Sequence, residues 1–231
     1  VVNAGNAGVD ASFAYRITDG DNDVSEAVQS VTITDGADPA KGADITLTLD
    51  DQNLADGSTP AVPVTDTDTI GFTAGSDGIA SIAFGTDLAN LDASNLTWTR
   101  VSDTRIEGTD TGSGLLIVTL ELTRVGDSAS VTATLSDNYD AHPAFTADDL
   151  KNLGSVTVVA TDTDGDAAVN TVTVEVSDDV PTANAGPALS VVESAGASAG
   201  VNLLANDVAG ADGAVVTHVD LGAGFVAITS G

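Results

Sequence analysis

The chain has 231 residues, enough for one or two domains, and its 42% hydrophobic content can build a core with only 3% aromatics. Six Lys and Arg stand against 35 Asp and Glu, a formal net charge of -29 at pH 7. So acidic a surface repels nucleic acid and anionic membranes, and no apolar run approaches the ~20 residues of a membrane span, so neither partner is expected.

Five of the acids are Glu (Glu26, Glu107, Glu121, Glu175, Glu193) and the rest are Asp. Asp favours turns and ligates hard cations, whereas Thr and Val in alternation favour strands. The carboxylates are therefore expected at strand ends. Cysteine is absent, which leaves metal clamps as the staple in place of disulfides. The opening Val1-Val-Asn-Ala-Gly5 carries no basic leader, and the chain reads as an excerpt of something longer.

In chain order, residues 1–38 hold two strand candidates, Ser12–Ile17 and Val28–Thr34, joined by an acidic loop. A lone hairpin is marginal in water, so this block is expected to be the C-terminal hairpin of a preceding repeat. Residues 39–180 are expected to form one complete β-sandwich repeat. Its strands are placed at Ile45–Leu49, Thr69–Thr73, Ile79–Phe84, Leu96–Arg100, Leu115–Leu122, Ser130–Leu135, Ser155–Ala160 and Asn170–Val176. Gly75–Gly78 and Asn53–Ser58 read as turns, Asp66-Thr-Asp68 as a polar loop, and Thr146–Leu150 as a short capped helical turn. Residues 181–231 read as the opening strands of a following module, with strands at Ala188–Glu193, Val215–Val219 and Phe225–Ile228 and a turn at Asn202–Asp207.

One motif occurs twice. Thr18-Asp-Gly-Asp-Asn-Asp23 returns 143 residues later as Thr161-Asp-Thr-Asp-Gly-Asp166. Each copy is followed by an alternating strand and an acidic, proline-ended linker, Thr34–Pro39 and then Ser177–Pro181. Asp19, Asp21 and Asp23, like Asp162, Asp164 and Asp166, place three carboxylates at alternate positions, and Ca²⁺ takes six to eight oxygens. The spacing is that of the first half of an EF-hand loop, but Thr173 occupies the twelfth position where an acid belongs, so the EF-hand reading fails. The remaining oxygens are expected from the linkers, with Asp35, Asp38, Asp178 and Asp179 as ligands and Asp50, Asp51 and Asp56 as weaker candidates.

The 143-residue period, the T-D-x-D-G-D loop, the strand Thr171–Val176 and the linker Asp178-Asp-Val-Pro181 together resemble the extender repeats of giant type I-secreted RTX adhesins. Phe72–Ile79, Ile82–Phe84 and Leu54–Gly57 are similar to the interior of that repeat, and Asn202–Asp207 resembles the entry to a VCBS-type, cadherin-like repeat. The resemblance implies an all-β chain of tandem, elongated Ig-like or cadherin-like antiparallel β-sandwich modules, stiffened by Ca²⁺ at their junctions. It implies an extracellular place on a bacterial cell surface and a role in adhesion and biofilm formation. The G-G-x-G-x-D nonapeptide repeat of the secretion-signal region is absent, so the segment resembles stalk.

Neighbouring repeats of the same chain are the expected partners. Identical chains in a fibre, joined by strand complementation, and a glycan or peptide ligand are the alternatives. Catalysis has little support. His142 in Tyr139-Asp-Ala-His-Pro143 lacks a nucleophile elbow and reads as a loop residue, and His218 as a half-exposed strand residue. Trp98, alternating with Leu96 and Arg100, reads as packing rather than a sugar platform. Two lone His and no Cys argue against zinc.

Overall fold

A computed structural model describes residues 7–61, 64–142, 146, 149–188, 190 and 200–228. The alternation of the sequence becomes strands throughout. β1 (Val9–Thr18) and β2 (Val24–Ile33) form an antiparallel hairpin. β3 (Ala40–Lys41), β5 (Thr65–Thr73), β7 (Leu96–Ser102), β8 (Arg105–Asp110), β9 (Leu116–Val125) and β10 (Ser128–Leu135) build a six-stranded sheet in the order β3-β5-β10-β9-β8-β7. β4 (Ile45–Asp50), β6 (Ile79–Phe84), β11 (Leu150–Asp162) and β12 (Ala167–Ser177) build a second sheet in the order β4-β12-β11-β6.

The two sheets close on one core. Every second residue points inward: Ile45, Leu47 and Leu49 from β4; Ala129, Val131, Ala133 and Leu135 from β10; Val156, Val158 and Ala160 from β11; Val172, Val174 and Val176 from β12. That is the period of a strand with one face on a core, and the fold is an all-β sandwich, as the composition predicts. Among the described residues the strand pairs are antiparallel except one. β12 runs parallel to β4, pairing Val172 with Ile45 through to Ser177 with Asp50. Both strands therefore end side by side, and the residues that follow them, Asp51 and Asp178, leave the sheet together.

Four details differ from the sequence reading. β8 was not expected; its residues Arg105-Ile-Glu-Gly-Thr-Asp110 carry one large apolar side chain, Ile106, and its place comes from pairing on both sides with β7 and β9. Asp66 and Asp68 lie in β5 rather than a loop, because β10 pairs along its whole length, Ala133 opposite Asp66 and Val131 opposite Asp68. β11 begins at Leu150, and Gly154, with φ +95°, carries a bulge that keeps the long strand in register. Of the helical turn expected at Thr146–Leu150, Ala147 and Asp148 lie outside the described residues, the Asp149 N–H donates to the Thr146 carbonyl at 3.2 Å, and Leu150 already belongs to β11.

The ends behave differently from the sandwich. The β1–β2 ladder repeats the β11–β12 ladder at the same offset: Thr18 pairs with Val24, and Thr161 with Ala167. Phe13, Tyr15 and Ile17 share one face of β1 and are exposed, while the residues 143 further on, Val156, Val158 and Ala160, are buried in the core. The hairpin thus carries the core face of a sandwich without its opposite sheet among the described residues. At the other end, Thr182 bridges to Val208, and Ala211 is buried against the main core. β13 (His218–Asp220) pairs with β14 (Phe225–Ala227), shorter than the strands expected there. Of the strand expected at Ala188–Glu193, Leu189 and residues 191–193 lie outside the described residues.

Candidate metal centre

The two Asp loops have one geometry. The Asp162 Oδ1 accepts from the N–H groups of Asp164, Gly165 and Asp166 at 3.3, 3.0 and 2.8 Å, and its own N–H donates to the Asp166 carbonyl at 3.0 Å. The Asp19 Oδ1 likewise accepts from the N–H groups of Asp21 and Asp23, and its N–H donates to the Asp23 carbonyl at 3.0 Å. The first Asp of each motif thus folds the loop round its own carboxylate, as Asx turns do. The wrap needs a left-handed residue, supplied by Gly165 at φ +111° and by Asn22 at φ 74°, both residue types that tolerate it.

The Asp162 loop does not stand alone. The linker after β2 lies on the Gly75–Gly78 turn: the Ser76 N–H donates to the Ala37 carbonyl, and the Ala37 N–H donates to the Ser76 Oγ, both at 2.8 Å. The approach is so close that a Cβ on Gly75 would stand 1.8 Å from the Ala37 carbonyl oxygen, which only glycine permits. The Thr163 hydroxyl donates to the Asp77 carbonyl at 3.0 Å and ties the Asp loop to the same turn. Asp35, Asp77 and Asp164 are thereby brought together, each offering an oxygen within 4.8 Å of the others, as are Asp35, Asp38 and Asp166, and Asp162, Asp164 and Asp166.

The carboxylates of this cluster crowd one another. Both Asp164 carboxylate oxygens are buried and accept no hydrogen bond from a donor. The adjoining Asp162 carboxylate, desolvation, and the charges of Asp162, Asp35 and Asp77 push Asp164 up to about 6. Desolvation works upward on Asp162 also, but Asp164 beside it and hydrogen bonds from the loop N–H groups hold it below the usual range. Asp19, Asp21 and Asp23 also lie within 4.8 Å of one another, yet all three are exposed. Asp21 holds Asp19 low, with the Asp23 N–H adding to the effect.

Asp178 and Asp179 stand at the opposite end of the β11–β12 ladder, where Leu150 pairs with Ser177, away from Asp162. Both are buried. Asp179 accepts from the Ser58 N–H at 2.7 Å and from the Ala211 N–H at 3.2 Å, so it ties the last segment to the sandwich. Asp178 meets Asp51 and His142 instead. Of the weaker candidates, Asp50 caps the 3-10 turn Asp51–Asn53 by accepting from the Gln52 N–H, and Asp56 is exposed.

His142 is the residue that sequence reasoning undervalued. It sits in the connection from β10 to β11 with its side chain only 4% exposed, its Nε2 3.7 Å from Asp51 Oδ2 and 4.0 Å from Asp178 Oδ1. Its ring packs edge-on against Tyr139 at 5.6 Å. Desolvation opposes its proton, but Asp51, Asp178 and the Asp149 backbone outweigh that and raise it. Desolvation raises both Asp51 and Asp178 against the pull of the His142 charge. The Asp-x-His spelling drew attention to Asp140; the contacts come from Asp51 and Asp178, which are remote in sequence. His218 is exposed at the start of β13. Trp98 is partly buried against the core and its Nε1 donates to the Asp92 carbonyl at 2.9 Å, which is a packing role.

No helix among the described residues is long and apolar enough to cross a membrane. Comparison with protein-family models, with curated proteins and with solved structures gives no match for this chain.

Proposed function

We propose that this chain is an extender segment from the stalk of a bacterial cell-surface adhesin, in which Ca²⁺ fixes the junction between successive β-sandwich modules. The observation that carries the reading is the gathering of Asp162, Asp164 and Asp166 from the sandwich with Asp35 and Asp38 from the incoming linker and Asp77 from the turn beneath it. Five of these six lie in two segments, linker and loop, that a cation would join. A cluster of oxygens with several carboxylates is the ligand set of a hard dication, and Mg²⁺ is seldom held by protein alone. The repeat of loop and ladder at one offset supports a tandem array, and the core-type face of the β1–β2 hairpin supports a preceding module.

The mechanism is mechanical. Without the ion, crowded carboxylates repel, at about 1 kcal/mol per pair ~4 Å apart in water, and the linker lifts from the turn. With the ion, the same carboxylates become ligands of one cation and the hairpin is held against the sandwich. Adhesion and biofilm formation follow from a stalk that keeps its length outside the cell. Small-angle scattering and thermal unfolding in calcium and in EDTA test the reading. Calcium should raise the melting temperature and narrow the distribution of hairpin positions; equal curves in the two conditions would dismiss it.

The exposed Phe13, Tyr15 and Ile17 face also favours a second reading, a fibre in which identical chains complete one another by strand addition. That reading predicts particle mass rising with concentration, which a stalk segment would not show.

A further inference from the structure

We propose that Asp51, His142 and Asp178 form a binding site for one transition-metal dication of the Zn²⁺ class, chemically distinct from the oxygen-only cluster at the other end of the sandwich. The parallel pairing of β4 with β12 is what builds it. Because Ser177 lies opposite Asp50, the next residues, Asp178 and Asp51, leave the sheet side by side, and His142 comes over them from the β10–β11 connection.

Three observations point to a ligand. The Asp51 side chain is 0% exposed, and among the described residues neither carboxylate oxygen has a partner within hydrogen-bond geometry; the same holds for both ring nitrogens of His142 at 4% exposure. The separations of 3.7 and 4.0 Å from His142 Nε2 are too long for hydrogen bonds, so the group does not satisfy itself. Buried carboxylates and imidazoles are otherwise paired or coordinated to metal. The geometry also fits. One ligand atom from each of the three residues lies within 4.8 Å of the other two, close enough for one ion to touch all three.

The ligand types decide which cation. Ca²⁺ needs six to eight oxygens, and this site offers two carboxylates and one imidazole nitrogen. Imidazole with carboxylate suits zinc and its first-row neighbours, and a dication balances the two carboxylates while His142 binds as the neutral ring. Asp178 thus belongs with His142 rather than with a calcium junction. The inference does not rest on the calcium reading, because no residue of this site belongs to the Asp162 loop.

The whole chain, stripped of metal and titrated with zinc chloride alone, supplies the test. The chain has two histidines, so long-range proton–nitrogen spectra show two rings, and exposed His218 serves as the internal control. One equivalent of zinc should move the His142 nitrogens and leave those of His218 in place, and Asp51→Asn should weaken the response at least tenfold. Calcium chloride alone should leave both rings unmoved. Zinc that leaves the His142 ring unmoved, or that moves both rings alike, would overturn the proposal. Because the rings are read in the unaltered protein, the outcome does not depend on a variant folding. The Gly165 amide in the same sample follows calcium separately, so failure at one site is distinguishable from failure at the other.

Discussion

Gly108 faces Trp98 across the β7–β8 ladder, and the space between them is already closed. A Cβ on Gly108 would stand 2.8 Å from Trp98 Cζ3 and 3.0 Å from Cε3 and Cη2, inside van der Waals contact. The indole cannot retreat freely, because its Nε1 is bonded to the Asp92 carbonyl and its rings lie on the core. Gly108→Val therefore overpacks the site and pushes the indole off its hydrogen bond. Overpacking costs about 1–3 kcal/mol, and breaking the indole hydrogen bond costs about 1 kcal/mol more. The better strand propensity of Val returns up to ~1 kcal/mol, so the expected net loss is about 1–3 kcal/mol. In urea that lowers the midpoint by roughly 0.5–1.5 M at unchanged slope. Trp98 is the one tryptophan of the chain, so its fluorescence reports this locus alone. A variant within ~0.5 kcal/mol of the parent, with unaltered emission, would refute the packing assignment and reopen the indole as an accessible platform.

Asp164→Asn should weaken the tightest calcium event in calorimetry at least tenfold, whereas Asp21→Asn in the exposed hairpin loop should leave that event unchanged; equal effects would show that the linker contributes no ligands. Lys151→Met removes the partner of Asp92, whose carboxyl is held down to about 2, first by Lys151 and then by Ser94. Since the folded value lies below the ordinary 3.8, the pair stabilises above about pH 4 and the benefit fades as pH falls through about 2. The variant should thus be up to ~1 kcal/mol less stable at pH 7, with the gap shrinking through about pH 2 and closing below it; a pH-independent gap would mean that the loss is packing. Asp179→Ala strips the acceptor from the Ser58 and Ala211 N–H groups and should cost about 1–3 kcal/mol while speeding proteolysis between residues 200 and 217. Unchanged proteolysis would show that Asp179 does not hold that segment.

The strands that were legible in the sequence are those whose burial alternates. β4, β10 and β12 place apolar residues inside at every second position, and their pattern needs no partner to be read. β8 was hidden because pairing on each side fixes it, and the outer half of β5 because pairing with β10 does. The hydrogen bond from the Thr48 N–H to Asp66 even gives an acid of β5 a place between the two sheets. The Asp loops announced themselves through a period that one-dimensional comparison detects, and the expectation that the linkers supply the remaining oxygens put Asp35 and Asp38 among the candidates. Asp77 was missed because its turn carries no acidic repeat. His142 was missed because its neighbours, Asp51 and Asp178, are set by a parallel strand pair, and no local spacing encodes that.

Anomalous scattering from crystals soaked in calcium measures the central claim most directly. The account predicts a calcium peak among Asp162, Asp164 and Asp166 with at least one of Asp35, Asp38 or Asp77 about 2.3–2.6 Å away. Clear density for all six carboxylates with no anomalous peak among them, at millimolar calcium, would contradict it.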